Sequence, residues 1–358
     1  MILETIYGIG IDRGFATTIF SSNEVEGIID SLVAPLSKEQ AEEIINNNKD
    51  DKDVILIKEE DNYYLCGSYV AEVKPSYAER DLRRSRETSS NERILFMAAM
   101  ALGTKNVTEA KLVVTTGLPT DDFKKDKETY KNLILNNKKP YEFSLFKCGK
   151  EYKKKISVVY ANIENQPKGT VIVSINEKLK NKENWRDIKT QKIAISDFGF
   201  NTLDNSVYVG KDIVDDDKIN FSTQSMAQVA ALTKKYIETE LKTTKTENEV
   251  LKAIETGKVK IRGKYEDCKP QVVKAFTESV RSYLNEIASK WDSIVDSFDE
   301  WIINGGPLED ENFTEILKEQ YSKILNWEVT IPKHPQKTNA RGFNIISQGI
   351  VQKMAKSV

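Results

Sequence analysis

The sequence predicts an α/β protein of two domains in which one strand-turn-strand unit is used twice. The 358 residues exceed what one hydrophobic core usually accommodates, so two domains of about 150 residues are expected. Short apolar runs typical of strands alternate with longer segments of helical periodicity. The pattern Asp-x-Gly-Phe-x-Thr occurs as "IDRGFAT" at 11–17 and again as "SDFGFNT" at 196–202, each time after an apolar run.

The first half is predicted to begin with a hairpin at 5–20, because apolar and β-branched residues flank a glycine turn. Two further strands follow at 54–72 around an Asp-Asn turn. A helix at 90–103 begins at a serine and ends at a glycine. The near-continuous apolar run at 110–119 predicts a strand that is covered on both faces, and the polar segment at 120–137 predicts a helix.

The later elements begin with a strand at 153–163, and residues 169–175 are predicted only as the start of a further element. A lysine- and asparagine-rich segment at 176–190 is a candidate domain boundary, and the second copy of the repeated turn follows it. The rest is predicted to be mostly helical, with helices at 223–241, 246–256, 270–298, 309–325 and 339–357 and a strand at 300–304.

Composition excludes several classes of protein. The 53 basic and 55 acidic residues give a net charge of -2, which provides no positive field to hold nucleic acid or an anionic membrane directly. The longest apolar run, at 94–102, is too short to span a bilayer. The three cysteines are widely spaced, which favours reduced thiols over disulfides. The only histidine is His334, so the sequence lacks the residues for Ser-His-Asp or Cys-His catalysis and for a metal site with several histidines. We therefore expect a cytoplasmic protein.

The repeated turn has the chemistry of a phosphate site. A glycine between two strands allows successive backbone N–H groups to point at one anion, and the missing side chain allows phosphate to approach closely. The aspartate at the end of the preceding strand, Asp12 in one copy and Asp197 in the other, supplies a hard oxygen ligand for Mg²⁺ or its waters. A single Asp-x-Gly turn is common in ordinary β-hairpins and indicates little. A matched pair of such turns, one in each half of the chain, predicts a duplicated nucleotide-binding fold.

A third motif, "IINGGPLED" at 302–310, places paired glycines at the end of an apolar strand before a helix. Such a turn permits a flat base or a phosphate to lie against the backbone. It follows the second copy of the repeated turn, which favours a ligand-binding role over a simple strand-to-helix connection.

These motifs resemble those of the actin-like ATPase superfamily, and most closely the bacterial plasmid-segregation actins of the ParM type. "GIDRGFATTIF" and "ISDFGFNTLD" are similar to the two phosphate loops of the family, and "INGGPLE" is similar to its adenosine motif. "TTGLP" at 115–119 and "NARGF" at 339–343 resemble its two connecting segments. The motifs occur in the family's order over nearly the whole chain, and this order makes the resemblance specific.

The resemblance implies an actin-like, ribonuclease H-like duplicated fold with two domains flanking a nucleotide cleft. Domain I would comprise 1–175, with a smaller inserted subdomain near 30–85. Domain II would comprise 176–335, and 336–358 would form a helix that returns to domain I. The implied cofactors are Mg²⁺ and ATP, with GTP as the alternative nucleotide.

The resemblance also assigns roles to residues. Asp12 and Asp197 would organise Mg²⁺, and Glu164, or Gln166 in its place, would position the hydrolytic water together with Asp197. The remaining nucleotide contacts would come from Gly14, Phe15, Ala16, Thr17, Gly199, Phe200, Asn201, Thr202, Gly305, Gly306 and Pro307. One departure is Ile19, because many relatives carry a phosphate-binding lysine seven residues after the first aspartate; Arg13 or a distant lysine would have to compensate.

The leading hypothesis for function is an ATP hydrolase that polymerises into helical filaments and moves plasmid DNA through a DNA-binding adaptor protein, with no direct nucleic-acid or membrane contact. A nucleotide-binding cytoskeletal scaffold with little turnover is an alternative, which the absent lysine favours. A small-metabolite kinase of the same fold is a weaker alternative, because the sequence shows no evident acceptor-site motif.

Overall fold

The computed structural model describes residues 5–77 and 89–357, so residues 78–85 of the predicted inserted subdomain lie outside the described residues. The elements up to residue 180 are β1 (Ile6–Arg13), β2 (Thr17–Ser22), β3 (Glu26–Asp30), β4 (Val33–Leu36), α1 (Lys38–Asn47), β5 (Ile55–Glu59), β6 (Asn62–Cys66), α2 (Val70–Val73), α3 (Ser90–Gly103), β7 (Glu109–Leu118), α4 (Thr120–Leu135), β8 (Tyr141–Lys147), β9 (Lys150–Asn165) and α5 (Lys168–Lys180).

The elements after residue 180 begin with a short helix and the second hairpin. They are α6 (Trp185–Ile188), β10 (Lys192–Phe198), β11 (Thr202–Val209), β12 (Asp212–Ile213), β13 (Phe221–Gln224), α7 (Met226–Glu240), α8 (Glu247–Thr256), β14 (Lys258–Ile261), β15 (Lys264–Asp267), α9 (Lys269–Trp291), β16 (Glu300–Gly305), α10 (Glu311–Leu325) and α11 (Thr338–Lys356). The helix predicted at 270–298 thus ends earlier, and a 3₁₀ turn at Val295–Ser297 follows it.

The chain divides into two compact units. The first unit comprises residues 1–176 and 337–358, and the second comprises residues 177–336. The first unit holds a nine-stranded sheet in the order β3-β2-β1-β7-β9-β8-β5-β6-β4. Within it, β1 pairs antiparallel with β2 and parallel with β7, and β7 pairs parallel with β9.

The second unit repeats part of this arrangement on a smaller scale. Its five-stranded sheet has the order β12-β11-β10-β16, with β13 also paired to β11. Here β10 pairs antiparallel with β11 and parallel with β16, as β1 does with β2 and β7. The two hairpins predicted from the repeated pattern therefore have the same place in their sheets.

Each unit has its own hydrophobic core. In the first unit the apolar face of α3, from Ile94 to Ala101, packs against side chains of β1, β7 and β9. In the second unit Trp291 and Trp301 are each 1% exposed, and their ring centroids lie 5.0 Å apart. Among the described residues, no helix combines the length and the apolar character needed to cross a bilayer.

Residues 169–175 form the body of α5 although their β-branched composition disfavours a helix. A tertiary contact supports the start of this helix, because Asn339 Oδ1 accepts hydrogen bonds from Thr170 N at 3.1 Å and Thr170 Oγ1 at 2.9 Å. Both residues are 1% exposed. An acceptor from α11 thus satisfies an N–H group that a helix leaves unpaired in its first turn.

The last helix packs on the first unit with its backbone in direct contact with neighbouring backbone. A Cβ atom added at Gly342 would lie 1.9 Å from the carbonyl oxygen of Gly169 in α5, and one added at Gly10 in β1 would lie 2.2 Å from Ala340 O. Ser347 Oγ also bonds Ile9 O at 2.9 Å and Thr115 Oγ1 at 2.8 Å. Small residues at these points are therefore required by close approach.

The substitution Gly342→Ala is expected to destabilise the protein by about 1–3 kcal/mol, because the methyl group has no space against backbone atoms that cannot move aside. Gly349→Ala on the same helix is the matched control, since nothing lies within 4 Å of its Cβ position. That change should be neutral or stabilise by about 0.5–1 kcal/mol. Urea unfolding of both variants checks this, and equal stabilities would contradict the assigned packing.

Glu26, at the start of β3, also fixes α11. Arg341 donates two hydrogen bonds to its carboxylate, at 2.9 Å and 2.8 Å, and Lys337 Nζ donates a third at 3.1 Å. The Arg341 hydrogen bonds, opposed by desolvation and aided by Lys337, lower the pKa of Glu26 from 4.5 to about 2. Because the folded-state pKa is the lower one, this contribution is present above pH 4.5 and is lost as pH falls toward 2.

The substitution Glu26→Gln should therefore cost about 1 kcal/mol of unfolding free energy at pH 7, a value limited by the partial exposure of all three side chains. Wild type and variant should converge as the pH approaches 2, where the wild type has lost the same interaction. Unfolding curves measured from pH 7 to 2 test this, with Glu24→Gln as the control that should run parallel to wild type. A constant gap for Glu26→Gln would contradict the assignment.

Candidate functional site

The first copy of the repeated turn connects β1 to β2. Asp12 is 7% exposed and lies one residue before the end of β1. Gly14 N donates a hydrogen bond of 2.9 Å to Thr17 O, which closes the turn over Phe15 and Ala16. Across the hairpin Asp12 pairs with Ile19. The turn is therefore tight, and it begins at a buried carboxylate.

The second copy has the same geometry in its own unit. Asp197 is 3% exposed, and Gly199 N donates a hydrogen bond of 2.9 Å to Thr202 O over Phe200 and Asn201. Asp197 pairs across the hairpin with Asp204, the same offset as in the first copy. The shared pattern thus folds into turns of the same kind, because in both a glycine in the turn bonds the threonine that begins the second strand.

The two hairpins differ at the position opposite the aspartate. In the second hairpin Asp204 accepts from Thr202 Oγ1 at 2.9 Å and from Ser222 Oγ at 2.5 Å. In the first, the equivalent Ile19 is 4% exposed. Directly opposed residues of an antiparallel pair share one face of the sheet, whereas consecutive residues alternate. A lysine at position 19 would therefore lie on the face of Asp12, and Arg13 lies on the other face.

The third motif meets the second turn. Asp197 is the register neighbour of Asn304, and Phe198 is the register neighbour of Gly305. Gly305 has φ +118, and a Cβ atom there would lie 2.2 Å from Phe198 O, so only glycine fits. Gly306 and Pro307 then begin a 3₁₀ turn. The structure therefore brings the second turn and the paired glycines to one edge of the second sheet.

Asn304 is a further candidate site residue, which lies within the third motif but received no role from the sequence. It is 1% exposed, and its Nδ2 donates to Asp197 Oδ1 at 3.1 Å. Its Oδ1 is buried and accepts no hydrogen bond from the residues that the structure describes. A buried acceptor without a donor is costly, so the position fits one that receives a donor from a bound molecule. The sequence feature that could have indicated Asn304 is an amide side chain directly before paired glycines at the end of an apolar strand.

Glu164 and Gln166 lie near the corresponding edge of the first sheet. Ile11 in β1 pairs with Thr116 in β7, and the next residue of β7, Gly117, pairs with Glu164 in β9. Asp12 and Glu164 are therefore two strands apart in the sheet, with about 10 Å between their Cα atoms. Asn162 Nδ2 donates to Glu164 Oε1 at 3.0 Å, and the Glu164 side chain is partly exposed.

Gln166 follows the end of β9 and differs from Glu164 in its surroundings. It is 8% exposed, and its backbone N donates to Leu118 O at 2.8 Å. Glu164 and Asp12 thus share one edge of the first sheet, with Gln166 just beyond it.

The side chains near the two turns are compatible with Mg²⁺ binding through phosphate and water. No group of three or more His, Cys, Asp or Glu side chains that could hold a metal occurs in residues 5–77 and 89–357. Mg²⁺ usually takes one or two carboxylates together with phosphate oxygens and water, so it needs no such group. Asp12 and Asp197, each buried at the end of a strand beside a glycine turn, fit that mode of binding.

The substitution Asn304→Asp should destabilise the protein by about 3 kcal/mol at pH 8, because it places a second carboxylate beside buried Asp197. Mutual repulsion raises the pKa of the pair, so protonation at pH 5 should recover most of the loss. Asn312→Asp is the control, since Asn312 Nδ2 also bonds a carboxylate, that of Asp310 at 2.9 Å, in an exposed position. Guanidinium unfolding at both pH values checks this; a pH-independent loss would contradict the contact.

Comparison with known proteins gives a consistent result. Residues 10–169 match the family model for the N-terminal domain of actin-like proteins. No curated protein matches the chain significantly. A ParM of Clostridium botulinum, solved as a 15-stranded filament, has a TM-score of 0.78 at 20% identity over 96% of this chain and 99% of its own.

Two further solved structures have the same fold. The archaeal actin homologue Ta0583, solved in complex with ADP, has a TM-score of 0.71 at 16% identity over 96% of this chain and 99% of its own. The apo ParM protein of pSK41 has a TM-score of 0.69 at 18% identity over 98% of this chain and 99% of its own. Residues 10–169 thus match the N-terminal domain of actin-like proteins, and the likeness to these solved structures over nearly the whole chain shows the two-domain actin-like fold of the ParM type.

Proposed function

We propose that this protein binds and hydrolyses a nucleoside triphosphate with Mg²⁺ and polymerises into helical filaments when the nucleotide binds. The observation that carries the proposal is the pair of matched turns. Each is closed by a 2.9 Å hydrogen bond from glycine to threonine, and each follows a buried aspartate at the end of a strand. Such turns can present the backbone N–H groups of the residues between the glycine and the threonine to an anion, and the aspartates supply hard oxygen ligands.

Within this proposal the residues divide by role. Asp12 and Asp197 hold Mg²⁺ and its waters. The turn residues Gly14, Phe15, Ala16, Thr17, Gly199, Phe200, Asn201 and Thr202 contact the phosphates, and Gly305, Gly306 and Pro307 border the nucleoside. The ion, once bound, neutralises charge that develops on the phosphates during transfer. ATP is the proposed nucleotide, and GTP is the alternative.

Glu164 is proposed to position the attacking water, with Gln166 as the alternative residue. Phosphoryl transfer depends more on an aligned water than on a strong base. The partly exposed carboxylate of Glu164, on the same sheet edge as Asp12, supports this choice, because a buried side chain such as that of Gln166 has less access to water. Asn162 would orient the carboxylate through its 3.0 Å hydrogen bond.

Assembly is proposed to be head to tail, since a heterologous contact that does not close on itself produces an open helical polymer. The C. botulinum ParM in the comparison forms a filament, which supports the same behaviour here. By resemblance, the filament would act in plasmid segregation through a DNA-binding adaptor protein in the cytoplasm. A net charge of -2 suits a chain that leaves DNA contact to its partner.

The test combines sedimentation, light scattering and phosphate release with ATP, GTP, ADP or a non-hydrolysable analogue, each with Mg²⁺. The wild type should pellet with ATP and then release phosphate. Glu164→Ala should assemble but release phosphate about a hundredfold more slowly, because the water is no longer aligned. Glu151→Ala, an exposed carboxylate elsewhere on β9, is the control and should match wild type.

The outcomes separate the possible roles. Normal release from Glu164→Ala with slow release from Gln166→Ala would transfer the role to Gln166. A wild type that neither binds nucleotide nor forms a polymer at tens of micromolar would reject the proposal.

A second candidate, a nucleotide-binding scaffold with little turnover, is favoured by one observation. Ile19 is buried and apolar at the position where a phosphate-binding lysine would share the face of Asp12. Without that charge, phosphate affinity and transition-state stabilisation are weaker. Filaments of the wild type that persist in ATP and release almost no phosphate would support this candidate over the hydrolase.

A further inference from the structure

Arg13 stands between the aspartate and the glycine of the first turn and is 7% exposed. Its Nη2 lies 3.0 Å from Glu92 Oε2, and its Nη1 donates to Ser31 Oγ at 2.7 Å and to the carbonyl oxygen of Gly14. The guanidinium group therefore bonds a carboxylate, a hydroxyl and the backbone of the turn itself. The Arg13 side chain is therefore a buried, hydrogen-bonded group and not an exposed cation.

The contacts of Arg13 continue into two helices. Glu92 lies in the first turn of α3 and is 1% exposed, and it accepts a hydrogen bond from the hydroxyl group of Tyr130 in α4, also 1% exposed. Ser31 adds to the arrangement, because its Oγ donates to Gly14 O at 2.9 Å and its N donates to Ala16 O at 2.8 Å. We call Arg13, Ser31, Glu92 and Tyr130 the turn brace.

The second hairpin shows that the fold does not need a charge at this position. The residue equivalent to Arg13 is Phe198, which is 1% exposed and belongs to the hydrophobic core of its unit. A buried ion pair is seldom the most stable solution, since apolar residues of similar volume are often neutral or stabilising in its place. Stability of the fold therefore does not explain why the turn brace contains a buried ion pair.

The groups that accept hydrogen bonds from the turn brace suggest why the charges are present. Carbonyl oxygens in a phosphate-binding turn repel the ligand, whereas N–H groups attract it. In the first turn both Gly14 O and Ala16 O are engaged by donors of the brace, and an arginine fork bonds several acceptors at once in a fixed geometry. A turn whose carbonyl groups are fixed has less freedom to lose when an anion binds.

We propose that Arg13 and Glu92 are positioning residues for the first phosphate turn: Glu92, held by Tyr130, orients the Arg13 guanidinium, which fixes the carbonyl side of the turn in the geometry that binds phosphate. This inference rests on the proposed nucleotide-binding function. It also answers the question raised by Ile19, because Arg13 lies on the opposite face from Asp12 and acts through the turn instead of replacing the lysine.

The test removes the charges together, because removing one alone leaves a buried unpaired charge. The triple variant Arg13→Met, Glu92→Leu and Tyr130→Phe should keep or raise the unfolding midpoint. Its dissociation constant for ATP, measured with a fluorescent analogue, should rise about tenfold, because a turn that is no longer fixed loses more conformational freedom when the anion binds. Arg13→Lys, which keeps the ion pair but lacks the fork, should fall between wild type and the triple variant.

The control is the neighbouring ion pair of the same helix. Arg93 pairs with Glu59, at 26% and 23% exposure, and has no contact with the turn among its described bonds. The double variant Arg93→Met and Glu59→Leu should leave ATP affinity unchanged. An equal loss in this control, or wild-type affinity in the triple variant, would overturn the inference.

A second measurement separates this inference from the proposed function. Amide hydrogen exchange of residues 10–20 without nucleotide should be about tenfold faster in the triple variant than in wild type, while exchange in β7 stays the same. A wild type that binds no nucleotide would reject the proposed function alone. Unchanged exchange in the triple variant would reject the brace, whether or not nucleotide binds.

Discussion

The hydrogen bond from a turn glycine to the threonine three residues later, Gly14 to Thr17 and Gly199 to Thr202, is the interaction on which both candidate phosphate turns depend. It closes each hairpin tightly, with only two residues between the bonded glycine and threonine. The preceding aspartate is then buried at the strand end, and the backbone of the turn remains at the edge of the sheet. If this bond opened, the carboxylate and the N–H groups of the turn would no longer be held in one geometry.

The surroundings hold these two similar turns by different means. The first is fixed by a charged group, with Arg13 paired to Glu92, and the second by Asp204, which bonds Thr202 and Ser222. Both arrangements are buried, so each polar group must be matched by a partner or lose stability. The same backbone turn is therefore held by a different polar support in each of the two hairpins.

In each unit, the parallel strand beside the hairpin places further polar residues near the aspartate. Next to Asp12 the register places Gly117 and then Glu164, and next to Asp197 it places Asn304. The carboxyl ends of parallel strands meet at one edge of a sheet, where ligands of open α/β folds characteristically bind. The last helix supports this arrangement in the first unit by packing against β1 through Gly10.

The sequence by itself determined the local elements. The two hairpins, the covered strand β7, the helices α3 and α10 and the glycine turn after β16 all follow from periodicity, turn residues and the repeated pattern, which act over a few neighbouring residues. The resemblance to the actin-like superfamily also comes from the sequence, because the motifs keep their order along the chain. Interactions between distant segments are not encoded in such short patterns.

Only the tertiary structure decided which distant residues meet. The helical state of 169–175 depends on Asn339, the burial of Arg13 depends on Glu92, and the contact of Asn304 with Asp197 depends on strand register. None of these can be derived from local propensity, because each partner lies far away in the chain and the preference of a residue yields to the free energy of burial and pairing.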